Sequence, residues 1–436
     1  MAVQTAGVRL WGSEIGAVSL QEGERVAVFQ YTSDFADRGV ELSPVTMPLS
    51  RRRYSFPALS QASFHGLPGL LADSLPDRFG RALINAWLAT QGRSLESFTA
   101  IEQLCYLGTR GLGALEFHPA TRAPGQADPL DVRRLVELAS EVLAARGDLH
   151  ESFATDERKA ALAQIVQVGT SAGGARAKAV IAWNPQTQEV RSGQVDVPEG
   201  FEHWLLKFDQ VEGNRDKEDE DPRGYTVIEY AYYLMARAAG IEMSECRLLD
   251  AGRARHFMTR RFDRFPGGGK RHMQSLAALA HLDFNQPAAN TYEQAFDVLH
   301  CLDGRPAARE ELFRRMTFNI VARNQDDHVK NIAFLMDKAG RWTLAPAYDV
   351  TFAYNPAGQW TARHQMSLNG RRDGFTREDF RRGAIRAQLP RTAAGRILDE
   401  VRAAVLRWPE FAERAALAPG RAEAIAAAHQ MDFPAR

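Results

Sequence analysis

The pattern of apolar and polar positions predicts strands at the beginning of the chain and helices further along. Residues 8–20 and 24–32 alternate between apolar and polar side chains around a glycine-containing turn, which is typical of a β-hairpin. The spacing of apolar residues then predicts an amphipathic helix over about 76–88 and a second helix over 101–107. The opening part of the chain is therefore expected to be rich in β-structure.

A domain boundary is predicted at residues 118–129, where HPATRAPGQADP combines proline, glycine and small polar residues. Beyond it, the pattern predicts a helix over 130–145, a glycine-rich turn at 169–174 and strands at AKAVIAW and FEHWLLKF. A long helix over 226–239 should end at Gly240 as its C-cap. We therefore expect three regions, the last of them mostly helical: 1–127, 128–268 and 269–436.

The composition is that of an ordinary soluble, globular protein. The 436 residues are 45% hydrophobic and 25% charged, with 54 basic and 54 acidic side chains. This balance excludes collagen, long disorder and coiled coils. The balance of charges also argues against a protein that mainly binds the nucleic-acid backbone. A local basic patch is compatible with this composition.

The cysteines and the apolar segments narrow the picture further. Cys105, Cys246 and Cys301 lie far apart without CxxC spacing, so we expect buried packing residues rather than a disulfide framework or a zinc site. The chain does not open with a basic segment followed by an apolar run, and no run of about 18 apolar residues occurs. The sequence therefore predicts a cytoplasmic protein without a membrane partner.

Candidate chemistry is concentrated in residues 318–350. Asp326 and Asn331 stand five positions apart, and the intervening IAFLMD and RWTLAPAYD predict a hairpin that returns Asp349 to the same place. Phosphoryl transfer needs a carboxylate that orients the attacking hydroxyl, and an Asn and an Asp that hold magnesium. Such residues also cap helices and close turns. The clustering of Asp327, His328 and Lys330 around them favours function.

A kinase also needs a loop over the phosphates and a lysine on a strand. Residues 168–183 place small residues between apolar segments, although a simple hairpin is an alternative and no Walker A motif is present. Lys207 lies on a predicted strand and Glu229 on the next helix, which is the arrangement of the lysine–glutamate ion pair of kinases. Alternatively, Lys207 lies on an edge strand and extends its ammonium to solvent. The stretch 169–173 also matches the hydrolase motif G-x-S-x-G, but a strand is predicted after it where that motif needs a helix.

Several motifs, in this order, resemble those of the HipA family of serine/threonine kinases, the toxins of bacterial toxin–antitoxin modules: GTSAGGARAKAVI, WLLKFD, the helix with Glu229, RRFDR, NQDDHVKN and APAYDV. LPGLLADSLPDRFGR and RGLGALEF resemble that family's N-terminal domain, so the likeness covers nearly the whole chain. The resemblance implies an α+β, bilobal protein-kinase-like fold. It has a small β-rich N-terminal domain and a mostly helical C-terminal lobe.

The resemblance also implies roles for individual residues. Asp326 is the catalytic base, and Asn331 and Asp349 are the magnesium ligands. Ser171 is the autophosphorylated residue, and a phosphate there would compete with ATP for the same donors. Thr170 beside it is a second possible acceptor, or its hydroxyl completes the turn. The residues at ATP are Gly173, Gly174, Ala175, Arg176, Ala177, Lys178, Lys207, Arg260, Arg261, Phe262, His328, Val329, Lys330, Asn331, Tyr348 and Asp349.

Two positions depart from the family pattern. Arg260 stands where an acidic residue is familiar, and Arg176 stands where a glutamine is frequent. The first residue is expected to contact the nucleotide through its backbone carbonyl, so only a side-chain role is in doubt. Neither change removes a group that phosphoryl transfer requires.

The resemblance implies an ATP- and Mg²⁺-dependent protein kinase that acts as a toxin, phosphorylates an aminoacyl-tRNA synthetase, commonly the glutamyl one, and arrests growth. A helix-turn-helix antitoxin is the expected partner, and DNA would be reached through it. A binding module in a DNA-bound repressor complex and a small-molecule phosphotransferase are alternatives. The charged residues 212–223 are a candidate substrate contact or a solvated linker.

Overall fold

The computed structural model divides the chain into two compact units. The first contains Met1–Thr226 and Arg247–Met273, and the second contains Val227–Cys246 and Gln274–Arg436. Within the part of the chain that the structure describes, no helix is both long and apolar enough to cross a membrane. The described residues are 3–121, 128–144, 153, 155–169, 176–195, 197–212, 224–265 and 267–435.

The first unit carries two antiparallel five-stranded sheets with helices against them. The strands are β1 Thr5–Leu10, β2 Ser13–Ser19, β3 Val28–Tyr31, β4 Arg53–Tyr54, β5 Leu115–His118, β6 Lys178–Trp183, β7 Val190–Ser192, β8 Glu202–Lys207, β9 Cys246–Ala251 and β10 Ala254–Arg260. The helices are α1 Ser33–Ala36, α2 Gln61–Phe64, α3 Gly69–Ala72, α4 Arg78–Thr90, α5 Ala100–Leu107, α6 Val132–Ala144 and α7 Asp156–Gly169.

The predicted hairpin at the start of the chain is present as β1 and β2, in a sheet of order β4-β3-β2-β1-β5. Leu10 pairs with Ser13 across a two-residue turn. Trp11 and Gly12 both have positive φ, 49° and 81°. A two-residue hairpin turn whose twist matches that of the flanking strands requires positive φ at both positions. The Trp11 indole Nε1 donates to the Lys270 carbonyl oxygen at 2.8 Å, which helps to hold a bulky residue in the left-handed region.

The second sheet has the order β7-β6-β8-β10-β9. Both predicted strands occur, as β6 and β8, and every described side chain of β6 is buried. Helices α4, α6 and α7 contribute to one apolar core with this sheet. The sequence analysis missed α7, because the first turns of this helix are exposed and charged and only its second half has a buried face.

The second unit is mostly helical, as predicted. Its helices are α8 Tyr225–Ala238, which begins at the end of the first unit, α9 Leu276–Ala280, α10 Tyr292–Leu302, α11 Pro306–Val321, α12 Arg377–Arg386, α13 Ala393–Leu406, α14 Trp408–Arg414 and α15 Pro419–Ala428. Its strands are β11 His272–Ser275, which spans the division between the units, β12 Asn290–Thr291, β13 Ala333–Met336, β14 Trp342–Leu344 and β15 Met366–Ser367.

One prediction about the cysteines is wrong. Cys105 and Cys246 are buried, but Cys301 is exposed. Helix α10 buries a stripe that includes Tyr292, Phe296 and Leu299. Cys301 lies two positions after Leu299, and at 3.6 residues per turn this rotates it off the buried stripe.

Buried histidines should make the folded state sensitive to mild acid. Burial lowers the pKa of these groups to about 4 or, for His272, to about 3: His203, His256, His272, His281 and His429. Below the unfolded histidine pKa of about 6.5, the unfolded chain binds protons that the folded chain does not. The folded state therefore keeps its full stability above about pH 6.5 and becomes less stable as the pH falls towards 4.

We therefore expect the melting temperature at pH 5.0 to lie below that at pH 7.5. Carboxylates with a lowered pKa, such as Asp263, change the free energy of unfolding only below their ordinary pKa of about 3.8. They therefore add nothing to the difference between pH 5.0 and pH 7.5. Calorimetry at the two pH values at constant ionic strength measures the effect. Equal melting temperatures would show that these histidines titrate alike in the folded and unfolded chain.

Candidate active site

A short loop between α11 and β13 brings Asp326 and Asn331 together. The Asn331 amide Nδ2 donates to the Asp326 carbonyl oxygen at 2.9 Å, and the Asn331 backbone N–H donates to the His328 carbonyl oxygen at 2.9 Å. The Asp326 side chain is 23% exposed, and His328 Nε2 lies 3.8 Å from Asp326 Oδ2. The loop therefore presents one partly exposed carboxylate and fixes an amide five residues later.

The predicted hairpin returns the chain to this loop. Strands β13 and β14 pair antiparallel, and the Tyr348 hydroxyl beyond them donates to the Lys330 carbonyl oxygen at 2.5 Å. Asp349 follows in the left-handed region with φ 53°. His328, Asn331, Tyr348 and Asp349 all line one cavity of about 30 Å³. The spacing argument thus correctly brought Asn331 and Asp349 to one place.

These side chains fit a magnesium ion. The Asn331 Nδ2 is engaged by the loop backbone, so its Oδ1 is the end of the amide that remains for a cation, and Asp349 adds a carboxylate. Among the described residues, no cluster of three or more His, Cys, Asp or Glu could hold a metal alone. Mg²⁺ suits this set, because it takes few protein ligands and completes its octahedron with phosphates and water.

Lys330 and Val329 lie in the same loop with different surroundings. The Lys330 ammonium lies 4.5 Å from the centroid of the Phe284 ring, which also lies 6.2 Å from the His328 ring. Phe284 therefore holds the basic face of the loop by a cation–π contact. Val329 is fully buried.

In the first unit, Lys207 ends strand β8 and is buried, with its ammonium 5.9 Å from the centroid of the Phe257 ring. Its register partner on β6 is Lys178. Glu229 belongs to the second unit and is buried in helix α8. Lys207 is therefore buried on a strand and Glu229 is buried on a helix, as the sequence predicted for each residue.

Lys178 is held by the N-terminal part of the chain. Its Nζ lies 2.9 Å from Asp77 Oδ2, and the two side chains are 2% and 6% exposed. Asp77 is also the N-cap of α4 and accepts from the Gly80 backbone N–H at 2.6 Å. Gly169 precedes the glycine-rich segment, and a Cβ on this residue would collide with the side chain of Leu83, which belongs to α4. Helix α4 therefore supports both ends of this segment.

Part of the predicted site lies outside the described residues. This applies to Thr170, Ser171, Gly173, Gly174 and Ala175, and to most of the charged stretch 212–223. Of the residues that follow, the Arg176 guanidinium lies 3.2 Å from the centroid of the Tyr225 ring, and Ala177 is buried. A helix precedes this segment and a strand follows it, which is the reverse of the strand–turn–helix order that a hydrolase nucleophile elbow needs.

Residues 260–262, which the family resemblance places at the adenine of ATP, adjoin a buried charge cluster. Arg261 donates to both oxygens of Asp263 at 2.9 and 2.6 Å, and Arg264 donates at 2.7 Å. Burial opposes ionisation of Asp263, but the two guanidinium groups hold its pKa well below the ordinary value. The Arg261 side chain is thus committed to Asp263, while Arg260 pairs with Glu202 at 3.1 Å.

The same cluster reaches far back in the sequence. The Gly113 backbone N–H donates to Asp263 Oδ2 at 2.8 Å, and Arg264 donates to the carbonyl oxygens of Gly111 and Gly113. Asp263 lies in the motif RRFDR, to which the sequence assigns no separate acidic role. An acidic residue between arginines was the available signal, although the contact with Gly113 has no local sequence pattern.

Two family models match the chain. The HipA N-terminal domain matches residues 6–118, and the HipA-like C-terminal domain matches residues 170–408. The chain belongs to the HipA family. A search of curated proteins finds no match.

One solved structure supports the fold of this HipA chain, and a second is similar over about half of it. HipA of Shewanella oneidensis MR-1, from a toxin–antitoxin system solved with HipB and its operator DNA, aligns with a TM-score of 0.65 and 19% identity, over 97% of this chain and 94% of that chain. The proinflammatory kinase CtkA of Helicobacter pylori aligns with a TM-score of 0.33 and 12% identity, over 51% of this chain and 92% of that one.

The family and the fold class predicted from the sequence are confirmed. The HipA resemblance is borne out by both family models, and the α+β, bilobal HipA-like fold by the Shewanella structure. The boundaries 1–127, 128–268 and 269–436 and the individual roles of the site residues stay predictions.

The sequence analysis counted Asp327 in the functional cluster without assigning it a role. The structure buries this side chain and gives it three hydrogen-bond donors, from Tyr292, His364 and Gln365. The doubled aspartate in NQDDHVKN was a visible signal. Its partners stand 35 to 38 residues away and carry no recognisable spacing.

Proposed function

We propose that this HipA-family protein is the toxin of a toxin–antitoxin system and an ATP- and Mg²⁺-dependent protein serine/threonine kinase. One observation carries the proposal: Asn331 is bonded to the Asp326 backbone and lines the same cavity as Asp349. A carboxylate beside an amide and a second carboxylate is the minimal set for orienting a hydroxyl and holding magnesium across phosphates.

Each residue has a defined task in this mechanism. Asp326 orients the acceptor hydroxyl and takes its proton, while Asn331 and Asp349 would hold Mg²⁺. The bound ion would supply positive charge against the phosphates. Lys207 neutralises phosphate charge, and Arg260, Arg261 and Phe262 offer backbone groups to the adenine. The commitment of the Arg261 side chain to Asp263 supports a backbone role there.

The substrate and the partner follow from the family. We propose an aminoacyl-tRNA synthetase, first the glutamyl one, as the acceptor, with arrest of translation and growth as the result. A helix-turn-helix antitoxin is the proposed partner, supported by HipB and operator DNA in the Shewanella structure. The zero net charge favours DNA contact through the antitoxin, in the cytoplasm. Autophosphorylation at Ser171, or at Thr170, is the proposed off-switch.

A binding module is the second candidate, because the Shewanella structure is an assembly with an antitoxin and DNA. In that case the chain would act with its antitoxin in a repressor complex and transfer little or no phosphate. A small-molecule phosphotransferase would share the catalytic groups, and acceptor specificity would distinguish it.

Replacing the proposed metal ligand tests the kinase. We expect Asp349→Asn to lower the rate of phosphoryl transfer by about 10²-fold, because Asp349 supplies the negative charge of the proposed ligand pair and Asn331 is neutral. Raising the magnesium concentration should recover part of the loss. The measurement is phosphate transfer from labelled ATP to glutamyl-tRNA synthetase and to the protein itself, as a function of magnesium concentration.

Asp337→Asn is the matched control, since Asp337 lies in the same hairpin but pairs with Arg341 at 2.8 Å near the surface. Its rate should equal that of the wild type. Equal rates for Asp349→Asn and the wild type would remove Asp349 from the metal site. A wild type that binds nucleotide but transfers nothing would favour the binding module.

A further inference from the structure

Two adjacent aspartates in the catalytic loop have opposite environments. The Asp326 side chain is 23% exposed, whereas the Asp327 side chain is 1% exposed. Residues 324–328 form neither helix nor strand, so no regular backbone pattern fixes the direction of these side chains. Whatever holds Asp327 inside the unit therefore also determines where its neighbour Asp326 is presented.

Asp327 is held by three donors. Its Oδ2 accepts from the Tyr292 hydroxyl at 2.6 Å and from His364 Nδ1 at 2.9 Å, and its Oδ1 accepts from the Gln365 backbone N–H at 2.7 Å. Burial acts against ionisation, but these donors lower the pKa of Asp327 below its ordinary value. Burial and the Asp327 charge raise the pKa of Tyr292, which keeps its hydroxyl protonated as a donor.

The donors come from segments outside the loop that are joined by a short strand pair. Strands β12 and β15 form a parallel pair, in which Asn290 is opposite Met366. Tyr292 directly follows β12, and His364 and Gln365 directly precede β15. The strand pair thus brings the three donors to one side of the catalytic loop, and the carboxylate ties the loop to both strands.

A second series of bonds reaches the beginning of the loop. The Asn319 Nδ2 donates to the Tyr292 hydroxyl oxygen at 3.1 Å, and the Asn324 Nδ2 donates to Asn319 Oδ1 at 2.9 Å. Loop positions 324 and 327 are therefore joined to the same tyrosine. Such largely buried networks restrict the position of a segment, because another arrangement would leave buried polar groups without partners.

We propose that Asp327 is a positioning residue for phosphoryl transfer: through Tyr292, His364 and Gln365 it fixes the loop so that Asp326 stays aimed at the acceptor hydroxyl. This inference rests on the proposed function. Asp327 itself touches neither the hydroxyl nor the phosphate in this account. Small displacements of a catalytic group are enough for large losses, since about 1 Å of misplacement can lower a rate by roughly 10²-fold.

The test compares Asp327 with another buried carboxylate of the second unit. The Asp379 side chain is 6% exposed, and it accepts from the Thr376 backbone N–H at 2.9 Å and from the Thr376 hydroxyl at 2.8 Å, outside the catalytic loop. For Asp327→Asn we expect kcat to fall by about 10²-fold while the KM for ATP stays within about threefold. Asp379→Asn should keep the wild-type kcat.

A double variant separates positioning from general damage. If Asp327 acts through Asp326, then Asp326→Asn with Asp327→Asn should have the same residual rate as Asp326→Asn alone, because the aimed group is already absent. A merely structural role would multiply the two losses. Tyr292→Phe keeps the ring, removes one donor and should lower kcat by about five- to tenfold, which covers the case that Asp327→Asn does not fold.

Hydrogen exchange of the loop 324–331 is measured on the same proteins. Faster exchange in Asp327→Asn, but not in Asp379→Asn, together with the loss of kcat is the expected result. If the wild type is active and both Asp327→Asn and Tyr292→Phe keep the full wild-type kcat, the positioning role of Asp327 is overturned and the proposed kinase function stands. A wild type that transfers no phosphate would overturn the proposed function and, with it, the catalytic role of Asp327.

Discussion

Replacing Asp326 with asparagine should lower kcat by about 10³-fold, the largest catalytic effect that we expect, because it removes the group that orients and deprotonates the acceptor hydroxyl. The substitution preserves shape. Asn331 is bonded to the carbonyl oxygen of residue 326 and not to its side chain, so the loop should keep its conformation. Initial rates of phosphate transfer to a synthetase, with ATP affinity and melting temperature measured in parallel, give the comparison.

ATP affinity serves as the internal control. It should stay within about threefold of the wild type, because Asp326 is neither a magnesium ligand nor an adenine contact in this account. A variant that keeps more than a tenth of the wild-type rate would show that another group activates the hydroxyl.

Replacing Asp77 with asparagine should lower the free energy of unfolding by about 3–5 kcal/mol, because it leaves the Lys178 ammonium in a buried site without its carboxylate. Asparagine is also a good helix N-cap, so the bond to the Gly80 backbone N–H should survive and the loss should report the charge alone. Urea denaturation of the purified full chain measures the change.

The matched variant is Asp77→Asn combined with Lys178→Met, in which both charges are removed. Most of the stability should return, because a buried ion pair can be replaced by uncharged side chains at little net loss. The same variant decides between two roles of Lys178. Unchanged ATP affinity indicates that Lys178 supports the fold through Asp77, whereas a large loss of affinity indicates the direct phosphate contact that the family resemblance implies.

Local spacing explains which parts of the site could be predicted. Asp326 and Asn331 lie on one loop, and a hairpin of alternating residues connects it to Asp349, so their convergence follows from short-range backbone geometry. The strands β6 and β8 and the helices α4 and α8 likewise follow from periodicity, with boundaries within about two residues.

Contacts between distant segments explain what could not be predicted. Asp77 and Lys178 are 101 residues apart, and Gly113 and Asp263 are 150 apart, so no periodic pattern connects them. The burial of Asp327 likewise depends on a pairing of β12 with β15 that local sequence does not reveal. These polar contacts determine how the site is supported, and only tertiary structure reveals them.

Phosphate mapping after incubation with ATP and magnesium tests the central claim most directly. Purified wild type and Asp326→Asn are incubated in parallel, with and without glutamyl-tRNA synthetase, and analysed by intact mass and peptide sequencing. We expect phosphate on Ser171 or Thr170 and on the synthetase with the wild type, and about 10³-fold slower transfer with the variant. A wild type that binds ATP but transfers phosphate neither to itself nor to a synthetase would contradict it.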